Sequence, residues 1–398
     1  MTDVAITGIA AGGDGVGRLP DGMTVFVPRT APGDLVRITV TERHKRFARA
    51  AIEQMREAAP GRVSPGCPHY DADGCGGCQL QHLGIAEQRV ARQRIVGEAV
   101  RRIGKRDVPD PDMVPAPDAW RYRSTITLHV AQGRIGYHRF DRPGHVFDLD
   151  DCHIARQPLM DLWRHVSAAR DRLPPGTDTV RLREDVTGGR HVVVGGGAPG
   201  WDARALHAAL PEGIAVWWAP ADGAPRVLAG PETGYPALAF AQVHPALAGR
   251  VRLDAVDALG DIAGPVWDLY GGVGDTARLL GERGAAVTSV DADRSAIAWA
   301  RRQPGAIDYI ADRVEDTVAR LPPPTAVVLN PPRAGAHALV TAALNARAVR
   351  TAYLSCDPAT LARDLQQLLP AYRLASLELI DLFPQTFHIE SLARLERA

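Results

Sequence analysis

The chain has 398 residues, 46 basic and 46 acidic, so net charge singles out neither a nucleic-acid nor an acidic partner. Only Lys45 and Lys105 are lysines and the other 44 basic residues are arginines, a compositional bias that excludes reading arginine abundance by itself as RNA binding. No apolar run approaches the roughly 18 residues of a membrane helix, the N-terminus lacks signal-peptide character, and the five cysteines suit no disulfide framework, so a cytoplasmic protein of two or three domains without a membrane partner is expected.

The segments VAITGIA, MTVFVP, LVRITVTE and ARAAIEQM alternate apolar and polar residues between the turns GGDG, PDG and APGD. That pattern predicts a small antiparallel barrel over residues 1–58. Arg43, His44, Lys45, Arg46 and Arg49 give it a basic edge with Phe47 available to stack on a base; a solvated charged hairpin is the alternative.

Cys67, Cys75, Cys78 and the distant Cys152 follow, in a region expected to form a central domain over residues 59–235. One CxxC pair with two flanking thiols suits a four-thiolate site, an iron–sulfur cluster tolerates the irregular spacing, and His69, His82 and His153 keep zinc open. From Arg89 to Arg106 seven basic residues face the single acid Glu98 on a predicted helix, a phosphate-contacting or a solvated face. The Pro- and Asp-rich residues 107–118 read as a linker, and residues 120–230 alternate again as a second, mostly antiparallel region.

Beyond about residue 235 strands and helices alternate, the pattern of a parallel sheet covered on both faces. The strand VWDLYGGVGD runs into a glycine-rich turn, and Asp291 ends the next strand 23 residues after Asp268, near the roughly 20-residue spacing at which a carboxylate reaches a ribose hydroxyl. Further strands end near Asp312 and at the rigid Asn330-Pro331-Pro332-Arg333 loop. In TAYLSCDPATLARDL, Cys356 sits between a buried strand and a helix that Asp357 caps and Pro358 opens; a helix N-terminus favours the thiolate while Asp357 opposes it, leaving the sign of the pKa shift open. Near the C-terminus Glu390 is a candidate base with His388 a candidate partner, although residue type alone favours surface positions for both.

In this order the motifs GGDGVGR, FVPRTAPGD, FAQVH, DLYGGVGD, NPPRAG, LSCDPATLARDL and FPQTFHIE, with the four spaced cysteines, make the chain resemble the S-adenosylmethionine-dependent RNA uridine-5-methyltransferases. The similarity spans nearly the whole chain and is to the branch with a TRAM barrel and a four-iron, four-sulfur cluster. It implies a Rossmann-like class I methyltransferase domain over residues 236–398, an N-terminal OB-type TRAM barrel and a central β domain carrying the cluster on Cys67, Cys75, Cys78 and Cys152. It further implies an S-adenosylmethionine site of Gln242, Asp268, Tyr270, Gly272, Asp291, Asp312 and Asn330, with Cys356 as nucleophile and Glu390 as base. Structured RNA, ribosomal rather than transfer RNA, is the implied substrate, acted on by a monomer. Family members usually carry cysteine at Gly271, asparagine at His244 and aspartate at Asn330; Gly271 is expected to be neutral and Asn330 to weaken cation binding. These departures also permit a catalytically drifted RNA-binding or remodelling protein, and an iron–sulfur redox protein is a third reading, disfavoured by the distance in sequence between Cys356 and the other thiols.

Overall fold

A computed structural model describes residues 1–347, 350–369 and 371–398. Strands Thr2–Ile9, Gly15–Arg18, Thr24–Val27, Leu35–Arg43 and Phe47–Glu57 close into a five-stranded barrel. Alternation turns Val4, Ile6, Val25, Val27, Val36 and Ile38 inward as its core. The buried Asp34 accepts from the backbone of Ala31 (2.6 Å) and Ala59 (2.8 Å) and pairs with Arg62 (2.7 Å), tying the barrel to the segment that follows.

The second sheet has six strands in the order Arg226–Ala229, Ile214–Ala219, Arg190–Gly196, Thr177–Glu184, Thr125–Ala131 and Arg134–Gly136. All neighbours are antiparallel except Arg190–Gly196 with Ile214–Ala219. Helix Gln157–Ala168 covers it with Leu159, Leu162, Trp163 and Val166, in the same core as Cys78 and Cys152.

The third sheet has eight strands in the order Asp308–Ala311, Ala286–Asp291, Pro265–Leu269, Ala326–Leu329, Arg350–Ser355, Glu390–Arg397, Tyr372–Ile380 and Asp112–Val114. Its first five strands are parallel, and Glu390–Arg397 inserts antiparallel beside Arg350–Ser355. One face packs on Val96, Val100, Leu361 and Leu365, the other on Leu247, Val251, Leu280 and Ile297. Burial on both faces explains why these strands read as continuous apolar runs.

Two sequence expectations are corrected. Residues 107–118 are more than a linker, because Asp112–Val114 pairs in parallel with Glu378–Ile380 and extends the third sheet; three residues are too few to show a period. The helix Ile85–Arg102 does not present all its basic residues outward. Arg92 is buried 2.8 Å from the buried Asp381, and Arg89 donates to the same carboxylate at 2.9 Å. A carboxylate removed from water requires such cations, so this pair locks the helix to the end of strand Tyr372–Ile380. No helix among the described residues is long and apolar enough to cross a membrane.

Candidate active site

Strand Arg350–Ser355 ends at the half-buried Cys356, and helix Pro358–Leu368 starts where Asp357 Oδ1 accepts the backbone N–H of Thr360 at 2.8 Å. The antiparallel register pairs Ser355 with Ser391, which brings Glu390, the first residue of its strand, beside Cys356. Ser391 Oγ donates to Ser355 O at 3.0 Å and holds the two strand ends together. Glu390 is buried, not on the surface, and burial pushes its carboxyl up to about 8. The Cys356 thiol is raised by burial first and by Glu390 second, while the Arg333 guanidinium opposes both. Arg333 was not among the expected site residues; its signal was the last position of a rigid Asn-Pro-Pro-Arg loop at the carboxyl edge of the sheet.

A crevice beside this pair is lined by Gln242, Tyr270, Gly272 and Asn330, with the 65% exposed ring of Phe240 at its mouth. The glycine-rich turn runs through left-handed backbone at Tyr270 (φ 63°), Gly272 (φ 56°) and Gly274 (φ 77°). Asp291 holds it open, Oδ2 accepting from Gly272 N at 2.8 Å and Oδ1 from Asp293 N at 2.7 Å. Asp268 lies behind the turn rather than in the crevice lining; it is buried, accepts from Ser289 Oγ at 2.9 Å, and is pushed up to about 7 by burial. Gly271 covers this pair, since a Cβ there would lie 2.2 Å from Ser289 Oγ and 2.4 Å from Asp268 Oδ2. Asp312 follows strand Asp308–Ala311, half-buried, with Arg320 at 3.5 Å, and is also outside the lining.

Cys67, Cys75, Cys78 and Cys152 are free thiols that line one cavity of ≈ 390 Å³. Burial, together with the neighbouring Cys152 and Cys67, drives Cys75 up to about 12, and burial raises Cys78 in the same direction. Tyr137 Oη donates to Cys152 Sγ at 3.8 Å. Among the described residues, no three His, Cys, Asp or Glu side chains form a group able to hold a metal ion. His82 is occupied elsewhere, by Tyr70 Oη at 2.7 Å and Thr30 O at 3.1 Å, whereas His69 and His153 stand at the cavity. Phe387 and His388 form part of the same wall, and the loop carrying them is tied to the cysteine segment: Leu80 N donates to Gln385 O (3.0 Å), and Gln88 and Gln385 exchange two bonds of 3.0 and 2.9 Å.

The basic edge of the barrel is partly neutralised, Arg43 by Asp21 and Arg49 by Asp14 (3.1 Å), which leaves Lys45 and Arg46 exposed. Phe47 packs edge-on to Phe26 and stacks on His44 at 4.4 Å.

A parallel sheet with a glycine-rich turn at its carboxyl edge, joined to a small N-terminal barrel, is the architecture of a nucleotide-binding α/β domain with an appended β-barrel. Residues 2–52 match the TRAM domain family, and residues 321–398 match the family described as tRNA (Uracil-5-)-methyltransferase. A 23S rRNA (uracil(1939)-C(5))-methyltransferase RlmD of Halomonas elongata is 32% identical over 99% of this chain and 89% of its own length. An uncharacterized RNA methyltransferase of Corynebacterium efficiens is also 32% identical, over 99% of this chain and 94% of its own. The solved structure of the Pyrococcus abyssi tRNA (uracil-54, C5)-methyltransferase in complex with S-adenosyl-L-homocysteine superposes with a TM-score of 0.74 at 22% identity, covering 98% of this chain and 99% of that one, and so shares the fold. The chain therefore belongs to the RNA uracil-C5-methyltransferase family, and it is an enzyme of that family.

Proposed function

We propose that this enzyme methylates C5 of a uridine in 23S rRNA, with S-adenosylmethionine as methyl donor. The observation that carries the reading is that Cys356 and the buried Glu390 meet at paired strand ends of the same sheet edge that carries the crevice lined by Gln242, Tyr270, Gly272, Asn330 and Leu354. The relatives matched along nearly their full length favour ribosomal over transfer RNA.

When bound, S-adenosylmethionine supplies an electrophilic methyl group; Gln242, Tyr270, Gly272 and Asn330 would line its site, Asp291 would reach the ribose, Asp312 would approach the adenine, and Asp268 would support the turn from behind. Uracil C5 is a weak nucleophile, and addition of the Cys356 thiolate to C6 places electron density on C5. The new C5–methyl bond leaves one proton too many on that carbon. Glu390 removes it, the C5–C6 double bond re-forms, and the thiolate departs. An uncharged Glu390 before methyl transfer avoids a second anion beside the thiolate. The target base must leave its stack to reach this crevice, and the barrel over residues 1–58, with Lys45 and Arg46, would hold the flanking RNA.

The four-cysteine cavity is proposed to hold a four-iron, four-sulfur cluster on Cys67, Cys75, Cys78 and Cys152. Four free thiols lining one cavity supply the four thiolates that such a cluster takes. Protein purified anaerobically should be brown and contain iron and sulfide; colourless protein with stoichiometric zinc overturns the assignment. For the reaction, ribosomal RNA from a host lacking 5-methyluridine is incubated with enzyme and methyl-labelled S-adenosylmethionine, then digested to nucleosides. Label in 5-methyluridine of 23S rRNA is expected, and label confined to another nucleoside refutes the reading.

A further inference from the structure

We infer that His388 is a positioning residue that fixes the Arg333 guanidinium at the sheet edge that carries Cys356, since the strands ending at Leu329 and Ser355 are paired neighbours. The inference rests on the proposed role of Cys356 and concerns what makes that thiol reactive.

Arg333 stands on an exposed loop, where a long side chain keeps its rotamer freedom unless something holds it. His388 Nδ1 lies 2.9 Å from Arg333 Nη2. Arginine can only donate, so Nδ1 accepts and the ring proton belongs on Nε2. The imidazole is itself fixed. Phe387 tilts over it at 4.4 Å, Phe383 meets it edge-on at 5.6 Å, and its backbone N–H donates to Thr386 Oγ1 at 3.2 Å. Burial first, then the positive charges of Arg333 and Arg123, depress its pKa to about 4, so the ring is neutral and free to accept at physiological pH. The charged groups facing the Cys356 thiol are Glu390 and Asp357, which disfavour the thiolate, and Arg333, which favours it. The cation is therefore the counterweight to Asp357, and to Glu390 once that carboxyl ionises, and its placement is set from the strand end that also carries Glu390.

The test reads the thiol directly. Cys356 lies in a tryptic peptide, residues 351–363, that contains no other cysteine, so its alkylation by iodoacetamide can be followed by mass spectrometry apart from the other four thiols. His388→Leu should slow Cys356 alkylation about ten-fold near neutral pH and raise its pH midpoint by about one unit, with S-adenosylmethionine affinity unchanged by calorimetry. His388→Asn, whose Oδ1 can accept in place of Nδ1, should alkylate within about two-fold of wild type. An unshifted midpoint in His388→Leu overturns the inference, as does an Asn variant as slow as Leu. Should His388→Leu fail to fold, Arg333→Gln at its exposed position remains decisive: it must raise the midpoint by the same amount, and an unchanged profile there refutes the inference. Failure of the nucleophile assignment is seen separately, as 5-methyluridine formation by Cys356→Ala.

Discussion

Replacing Glu390 by glutamine removes the proposed base while preserving shape. Burial holds the carboxyl near 8, so about one molecule in ten is ionised at pH 7 and about nine in ten at pH 9. Elimination from the methylated adduct should therefore accelerate about ten-fold between those pH values in the wild type, and be flat in Glu390→Gln. Steady-state turnover of the variant should fall about a thousand-fold, whereas a first methyl per enzyme is still transferred and remains on a covalent protein–RNA species. Rapid-quench single turnovers with labelled methyl donor, resolved on denaturing gels, separate adduct decay from thiolate addition, which has its own pH dependence through Cys356. A stability readout checks the same pKa. Because the folded-state value lies above the ordinary 4.5, wild-type stability is lost as pH rises from about 4.5 to about 8. The thermal midpoint of Glu390→Gln should accordingly gain on wild type from pH 5 to pH 8. Turnover by the variant near the wild-type rate, or wild-type adduct decay that does not change between pH 7 and pH 9, refutes the assignment of Glu390 as base.

Gly271→Cys, the residue usual in the family, should be harmful here, because its Cβ would invade the Ser289–Asp268 hydrogen bond. A loss of about 1.5–3 kcal/mol is expected by denaturant unfolding; equal stability of Gly271→Cys and wild type contradicts this. Asn330→Asp places a negative charge in the crevice, and calorimetry should show S-adenosylmethionine binding strengthened by about 1 kcal/mol, roughly five-fold, with the gain shrinking at high salt. Arg92→Met strips Asp381 of its buried partner and leaves only Arg89, which should destabilise the protein by about 3 kcal/mol and lower its thermal midpoint, whereas Arg94→Met on the exposed face of the same helix should change neither.

Much of the architecture was legible because its causes are local. Alternation marked the barrel strands, whose inward set is Val4, Ile6, Val25 and Val27. Asp357 and Pro358 marked the helix after Cys356 within one turn of the observed cap. The glycine-rich turn and the strand ends placed Tyr270, Gly272 and Asn330 at one sheet edge. Each of these signals acts over a few residues or follows from a topological rule.

What the chain alone left open are interactions between groups far apart in sequence. Glu390 looked like a surface residue until the antiparallel insertion of its strand buried it beside Cys356. Arg92 looked like part of an RNA-facing stripe until Asp381 drew it inward. Arg333 and His388, 55 positions apart, had no reason to be paired before the loops converged. Asp268 carried the spacing of a ligand-contacting carboxylate, yet Ser289 and the turn above it hold it behind the crevice. Sequence patterns record which face of an element is apolar and where it begins; the burial, partners and ionisation of a single polar side chain depend on which distant group desolvates or neutralises it, and only the tertiary structure decides that.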